Sequence, residues 1–290
     1  MENVVQEDLK AKVLKIKEKG PENVASEDIP VAFEIITQYI TTTHKAQNLL
    51  EGASISFKIE LKNIGSFYIL YKDGKAQYEK GDISSPTVYL KTDLVSIAKI
   101  LLGEMDAIVA FFSDILEARG DLYYLIIFAQ ILELAFDDLG ILSPEERTSI
   151  LPIEEVRELI GIYTGRIGVE DVSIVPKFLH ILTEFINHNP EAQDEIEGEE
   201  LHLQLTITGH ADYTIHVVEN HMRWEEGASK DAQVTIEAPL DKCANIIIEG
   251  DAVSAYLAGE LNVKGALQDG LFFQELIEIF QENIDIEYYE

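Results

Sequence analysis

Four of the seven histidines in this chain, His202, His210, His216 and His221, fall within one stretch of twenty residues. Imidazole is the commonest nitrogen ligand of transition metals and the side chain that titrates nearest neutrality. Alternation along the two runs that carry them puts His202 and His216 on the strand face opposite Leu203 and Ile215. There a diagonal approach would let them hold a metal ion together with Asp212 or Glu200. A third fixed ligand is missing, and the matching stretch of an internal repeat, described below, contains no histidine. The expectation is therefore solvated strand positions and no metal.

Other chemistry is scarce. Cys243 is the single cysteine, so no intrachain disulfide and no cysteine-based zinc site can form, and it is expected as a small apolar residue on a helix. Gly161, Gly165 and Gly168 are spaced wrongly for a dinucleotide loop and suit a helix end. Arg119, Gly120 and Asp121 form an Arg-Gly-Asp triplet that is expected at a strand-to-helix turn. There is no nucleophile elbow, phosphate loop, paired-histidine zinc motif or calcium loop. Carboxylates number 53, too many for spacing to single out a catalytic pair. No catalytic residue, metal or cofactor is assigned, and the chain is expected not to be an enzyme.

Charge narrows the partners. The 22 basic and 53 acidic side chains leave a formal net charge of −31, which repels phosphate backbones, so nucleic-acid binding is not expected. Residues 1–145 carry 14 basic and 23 acidic groups, against 8 and 30 in residues 146–290. The second half should avoid anionic membranes more strongly. In the second apolar cluster the longest charge-free run, Leu122 to Leu132, is far shorter than the roughly 20 residues of a membrane span. The start, MENVVQEDLKAK, shows no basic region followed by an apolar run, so a cytoplasmic location is expected.

At 290 residues the chain is about twice the usual domain of roughly 100–150 residues. Sliding it against itself shows why. Residues 30–103 pair with 176–249 without a gap and share 15 identities in 74 positions, against about 6 % by chance. Pro30, Ile35, Thr37 and Ile40 meet Pro176, Ile181, Thr183 and Ile186, and Glu79, Gly81 and Val88 meet Glu225, Gly227 and Val234. After Gly103 and Gly250 the register slips, then resumes with ARGDL over VKGAL and Phe128 over Phe273.

Each copy gives the same elements. Helical spacing covers Asp8–Lys17 and Glu154–Tyr163, and a second helix is expected to open on Pro30 or Pro176. Alternating runs follow at Ile55–Leu61 and Leu201–Ile207, then three further strands, a helix from Leu94 or Leu240, a short helix, a strand near Ile115–Ala118 or Leu261–Val263, and a closing helix. The expectation is an α+β protein of two tandem domains, residues 1–145 (core 30–136) and 146–290 (core 176–284). Each is an antiparallel meander of about five strands covered on one face by helices. The acidic run 191–200 is expected as a solvated loop inside the second domain.

The string AYLAGELNVKGALQDGLFFQEL, with VTIEAPLDKCANIIIEGD before it, resembles the sterol carrier protein 2 family, whose members carry a Gly-Lys-Leu-x-x-x-Gly type strand before a last amphipathic helix. The resemblance covers about 200–290 and, more distantly, about 52–136, where Asp114 and Arg119 replace Gly259 and Lys264. It implies a sheet backed by helices around an apolar tunnel for a sterol, an acyl chain or an isoprenoid.

On that resemblance the tunnel of the first copy is expected to involve Phe57 and Phe67 of its strands, Leu94 and Leu101 of the helix from Leu94, and Phe112, Leu116, Leu122 and Phe128 beyond. In the second copy the expected residues are Leu203, Ile215 and Trp224 on strands, Leu240 and Ile247 on a helix, then Tyr256, Leu261 and Val263, and Leu271, Phe272 and Leu276 on the closing helix. The second copy is expected to keep the better site, and the more aromatic first copy to hold a bulkier ligand. Leu122–Leu134 is apolar nearly all round, and its surplus is open to a ligand, the other domain, a protein partner or a homodimer. The expected function is carriage or presentation of an apolar lipid. The alternative is an acidic interaction or scaffold module assisting an enzyme of lipid or quinone metabolism.

Overall fold

The structure, a computed structural model, describes residues 2–142, 151–169 and 172–285. These fall into two compact units, one ending at Glu154 and the other running from Glu155 to Asp285. The boundary expected between residues 145 and 146 lies outside the described residues.

In the first unit three helices, α1 (Glu2–Lys17), α2 (Ile29–Thr42) and α3 (His44–Leu49), precede four strands, β1 (Ile55–Leu61), β2 (Gly65–Lys72), β3 (Lys75–Lys80) and β4 (Val88–Thr92). Helices α4 (Leu94–Leu101) and α5 (Ala107–Phe112), strand β5 (Glu117–Gly120) and helix α6 (Leu122–Asp138) complete it. The second unit repeats the order: α7 (Ile153–Tyr163), α8 (Ile174–His188), α9 (Pro190–Glu195), β6 (Leu201–Ile207), β7 (Asp212–Val218), β8 (His221–Glu226), β9 (Val234–Ala238), α10 (Leu240–Glu249), α11 (Ala252–Leu257), β10 (Asn262–Gly265) and α12 (Leu267–Ile284).

Alternation decides which side chains face the helices. On β1, Ile55, Phe57, Ile59 and Leu61 are buried while their neighbours are half-buried, and this pleat is what a one-sided core requires. The β2–β3 connection is a two-residue hairpin in which Asp73 and Gly74 both have positive φ, 50° and 75°, matching the twist of the strands. Glu219 and Asn220 do the same between β7 and β8, at 53° and 58°. Asn63 and Gly209, and Asp114 and Gly259, are likewise left-handed in matching turns, so the two units turn their chains at corresponding places.

Pairing departs from the expected meander. The sheets run β3-β2-β1-β4-β5 and β8-β7-β6-β9-β10, and β1–β4 and β6–β9 are parallel, so each sheet is mixed. Alternation reveals strands but not their directions. The chain leaves the edge strand β3 or β8 and crosses to the far side of β1 or β6 before pairing. The crossing segment is fastened in the second unit by Ser229 N–H to Gln204 Oε1 at 2.7 Å and by Gln233 N–H to the His202 carbonyl at 2.8 Å.

Smaller corrections follow from local chemistry. Pro30 and Pro176 stand second and third in their helices, not first, which is tolerated because the first-turn N–H groups have no intrahelical partner. The acidic run 191–200 is not all loop. Asn189 caps α9 by accepting from Ala192 N–H at 3.1 Å, and Ala192 and Ile196 are buried. Strands β5 and β10 end two residues later than expected.

Candidate ligand cavity

A cavity of about 280 Å³ opens inside the second unit. Its floor is the sheet, through Leu205 on β6, Ile236 and Ala238 on β9, and Val263 on β10. Helix α8 contributes Phe178 and Leu179, and α10 contributes Cys243, Ile246 and Ile247. Helix α11 brings Ala252, Val253, Tyr256 and Leu257, Leu261 follows, and α12 closes the wall with Leu267, Gly270, Leu271, Phe273, Gln274 and Ile277.

The wall carries no charge. Burial pushes the Cys243 thiol up to about 12, so it stays protonated near neutral pH and behaves as an apolar group. Gln274 spends its amide on the turn and on its own helix: Nε2 donates to the Gly250 carbonyl and, at 2.7 Å, to the Glu278 carboxylate, while Oε1 accepts from Ala252 N–H at 3.0 Å. These bonds tie α12 to the α10–α11 turn, where Gly250 is left-handed at φ 73°. No lining group is poised as a nucleophile, acid or base, so this wall can sort molecules by shape and hydrophobicity.

The mouth is apolar too. Val253, Tyr256, Leu257, Leu267 and Leu271 all lie on the wall, and Leu257 is 78 % exposed. Apolar surface left in water at this density marks a binding site more often than a bare face.

The first unit differs at the same places. Ile108, Phe112, Leu122 and Ile126, the counterparts of Val253, Leu257, Leu267 and Leu271, are all buried. Phe57 and Phe128 meet with ring centroids 4.8 Å apart, and Phe67 meets Phe33 at 5.4 Å. Among the described residues the first unit has pockets of about 40 Å³, small beside the cavity of the second. The bulkier ligand expected for this copy would have to enter a unit in which the named aromatic rings pack on one another.

Of the residues singled out from sequence, Ile247, Tyr256, Leu261, Val263 and Leu271 lie on the wall. Leu203, Ile215 and Leu276 are fully buried away from it, Leu240 and Phe272 are half-buried off it, and Trp224 stacks edge-on against Tyr213 at 6.0 Å. In the first unit Phe57, Phe67, Phe112, Leu116, Leu122 and Phe128 are core, and Leu94 and Leu101 are half-buried, with Leu101 bordering one small pocket. Other wall residues, Leu205, Ile236, Cys243 and Gly270 among them, were not singled out from sequence. A glycine in the interior of a long apolar helix was the available signal. Helix α6 buries Leu122, Leu125 to Leu132 and Ala135.

The histidine pair corrects two expectations. His202 and His216 are directly opposed, not diagonal, with Nδ1 atoms 2.8 Å apart. His216 is buried, not solvated, on the face that the 227–233 crossing covers through Gln204 and Thr214. Among the described residues no group of three or more metal-binding side chains forms there or elsewhere.

Residues 36–133 match the profile of the SCP-2 sterol transfer family. The match falls on the first copy, whereas the resemblance drawn from sequence rested mainly on residues 200–290. The second unit has the same strand order and the same parallel central pairing as the matched one. Comparison with curated proteins gives no match. Among solved structures the chain is similar to a UbiJ-SCP2 ubiquinone synthesis protein, at 16 % identity and a TM-score of 0.33, covering 39 % of this chain and 97 % of that one. It is similar to the conserved hypothetical protein TT1886 of Thermus Thermophilus at 12 % identity and a TM-score of 0.30, covering 40 % and 90 %. A stereoselective inverting sec-alkylsulfatase, Pisa1 from Pseudomonas sp., is similar at 13 % identity and a TM-score of 0.31, covering 57 % of this chain and 25 % of the sulfatase. Among the described residues no helix is long and apolar enough to cross a membrane.

Proposed function

We propose that this chain binds and carries an apolar, chain-like molecule in the cavity of its second unit, without catalysis. The carrying observation is an open, uncharged cavity of about 280 Å³ at a place that the duplicate unit fills with its own side chains. The sterol-transfer match across residues 36–133, with a second unit of the same topology, supports the reading.

The volume favours one class of ligand. At about 30 Å³ per heavy atom, it holds roughly ten carbons, which suits a segment of an acyl or isoprenoid chain better than a whole tetracyclic sterol. A polar head stays at the mouth, since the interior has no free hydrogen-bonding group to receive it. Each methylene taken from water contributes about 0.8 kcal/mol, so affinity should rise about fourfold per methylene until the cavity is full.

A series of saturated fatty alcohols of increasing length, titrated by calorimetry, tests this. The expected result is one molecule per chain and affinity that climbs, then levels near ten carbons. Affinity that is absent at every length would overturn the reading.

A further inference from the structure

The two units follow one pattern, yet one is hollow, and two of the positions at which they differ lie on its cavity wall. Helices α6 and α12 both open on a leucine, and the fourth residue is Leu125 in one and Gly270 in the other. Helices α4 and α10 also both open on a leucine, and there the fourth residue is Ile97 or Cys243. Leu125 and Ile97 are buried in the filled unit, at 3 % and 4 % exposure. Gly270 and Cys243 line the cavity of the hollow one.

Nothing in the backbone asks for glycine at Gly270. It sits inside α12 without a positive φ, and a Cβ placed there would touch Ile236, Val234 and Val263 at an ordinary 3.9 Å. Glycine in a helix interior weakens the helix, so what it supplies here is empty space. Cys243 likewise brings little bulk, and its thiol makes only a long contact, 3.9 Å to the Ala238 carbonyl. Leucine and isoleucine in their place would add about six heavy atoms, or roughly 180 Å³.

We propose that Gly270 and Cys243 set the size of the ligand this protein accepts, by leaving out the side chains that close the same space in the first unit. The inference rests on the reading of the cavity as a lipid site and names its specificity-determining residues.

The test is the full chain carrying Cys243→Ile and Gly270→Leu together, with Gly270→Ala alone as a milder variant. Two readouts separate the claims. Fatty-alcohol affinity reports on the ligand, and xenon uptake followed by nuclear magnetic resonance reports on the empty space without one. In the double variant, dodecanol affinity is expected to fall by about tenfold or more, xenon uptake to be lost, and the melting temperature not to fall. Gly270→Ala is expected to shorten the preferred chain by about one methylene, a loss of about fourfold for the longest alcohol that fits. A folded double variant that binds dodecanol like wild type overturns the inference and leaves the functional reading standing. Should the double variant not fold, an unchanged chain preference in Gly270→Ala overturns it. Wild type that takes up xenon but no alcohol overturns the functional reading, and loss of that xenon in the double variant still supports the two residues as the makers of the space.

Discussion

His202 and His216 face each other across β6 and β7 with their Nδ1 atoms 2.8 Å apart, so one ring donates and the other accepts. A second proton would set two cations together beside Arg223, the cross-strand partner of His216. Burial foremost, then Arg223 and His202, hold the His216 imidazole below its ordinary value, against the opposing pull of Glu225 at 3.6 Å.

That lowered value has a sign. The unfolded chain takes up the proton more readily, so His216 costs stability as pH falls below about 6.5 and costs none well above it. Trp224, the single tryptophan, reports unfolding of this unit. Urea melts at pH 7.5 and 5.5 should show a smaller acid loss for His216→Leu, which copies Leu70 of the first unit, than for wild type. Equal losses would remove His216 as the cause.

How much of this was legible in the sequence follows from what each signal encodes. Alternation in Ile55–Leu61 and Leu201–Ile207 gave the strands, and the repeat gave the two units, because period and identity are local properties. Pairing direction was hidden, since β1 and β4 are joined through a crossing that leaves no periodic trace. Depth was hidden as well: Leu203 and Leu205 sit on one face of β6, but Leu203 is fully buried and Leu205 borders the cavity. Whether a void exists depends on the summed volume of residues far apart in sequence, such as Cys243 and Gly270, and no single residue announces it. Aromatic content is no measure of room: Phe57 and Phe128 of the first copy pack on each other with ring centroids 4.8 Å apart.

Phe128→Ala should therefore behave as a core deletion. Removing a buried ring packed on Phe57 costs about 3–5 kcal/mol. Amide hydrogen exchange should lose protection across β1 and α6. Protection unchanged from wild type would mean that the ring does not hold this core together.

Gln274→Ala, which copies Ala129 of the first unit, removes the bonds that tie α12 to the Gly250 carbonyl and Ala252 N–H. Leaving the buried Gly250 carbonyl without its partner costs about 1–3 kcal/mol. The Ala252 amide should exchange at least about tenfold faster, since it loses its partner and about 1.4 kcal/mol corresponds to a factor of ten. An exchange rate equal to wild type would show that the turn is held by something else.

On the proposed function an apolar chain enters the second unit and not the first. Methyl-labelled protein titrated with decanol and followed by nuclear magnetic resonance tests it most directly. Saturation is expected at one molecule per chain, with shifts at Val253, Leu257, Leu261 and Leu271 and none at Ile108, Leu116, Leu122 and Ile126. Shifts confined to the first unit, or no saturable shifts at all, would contradict it.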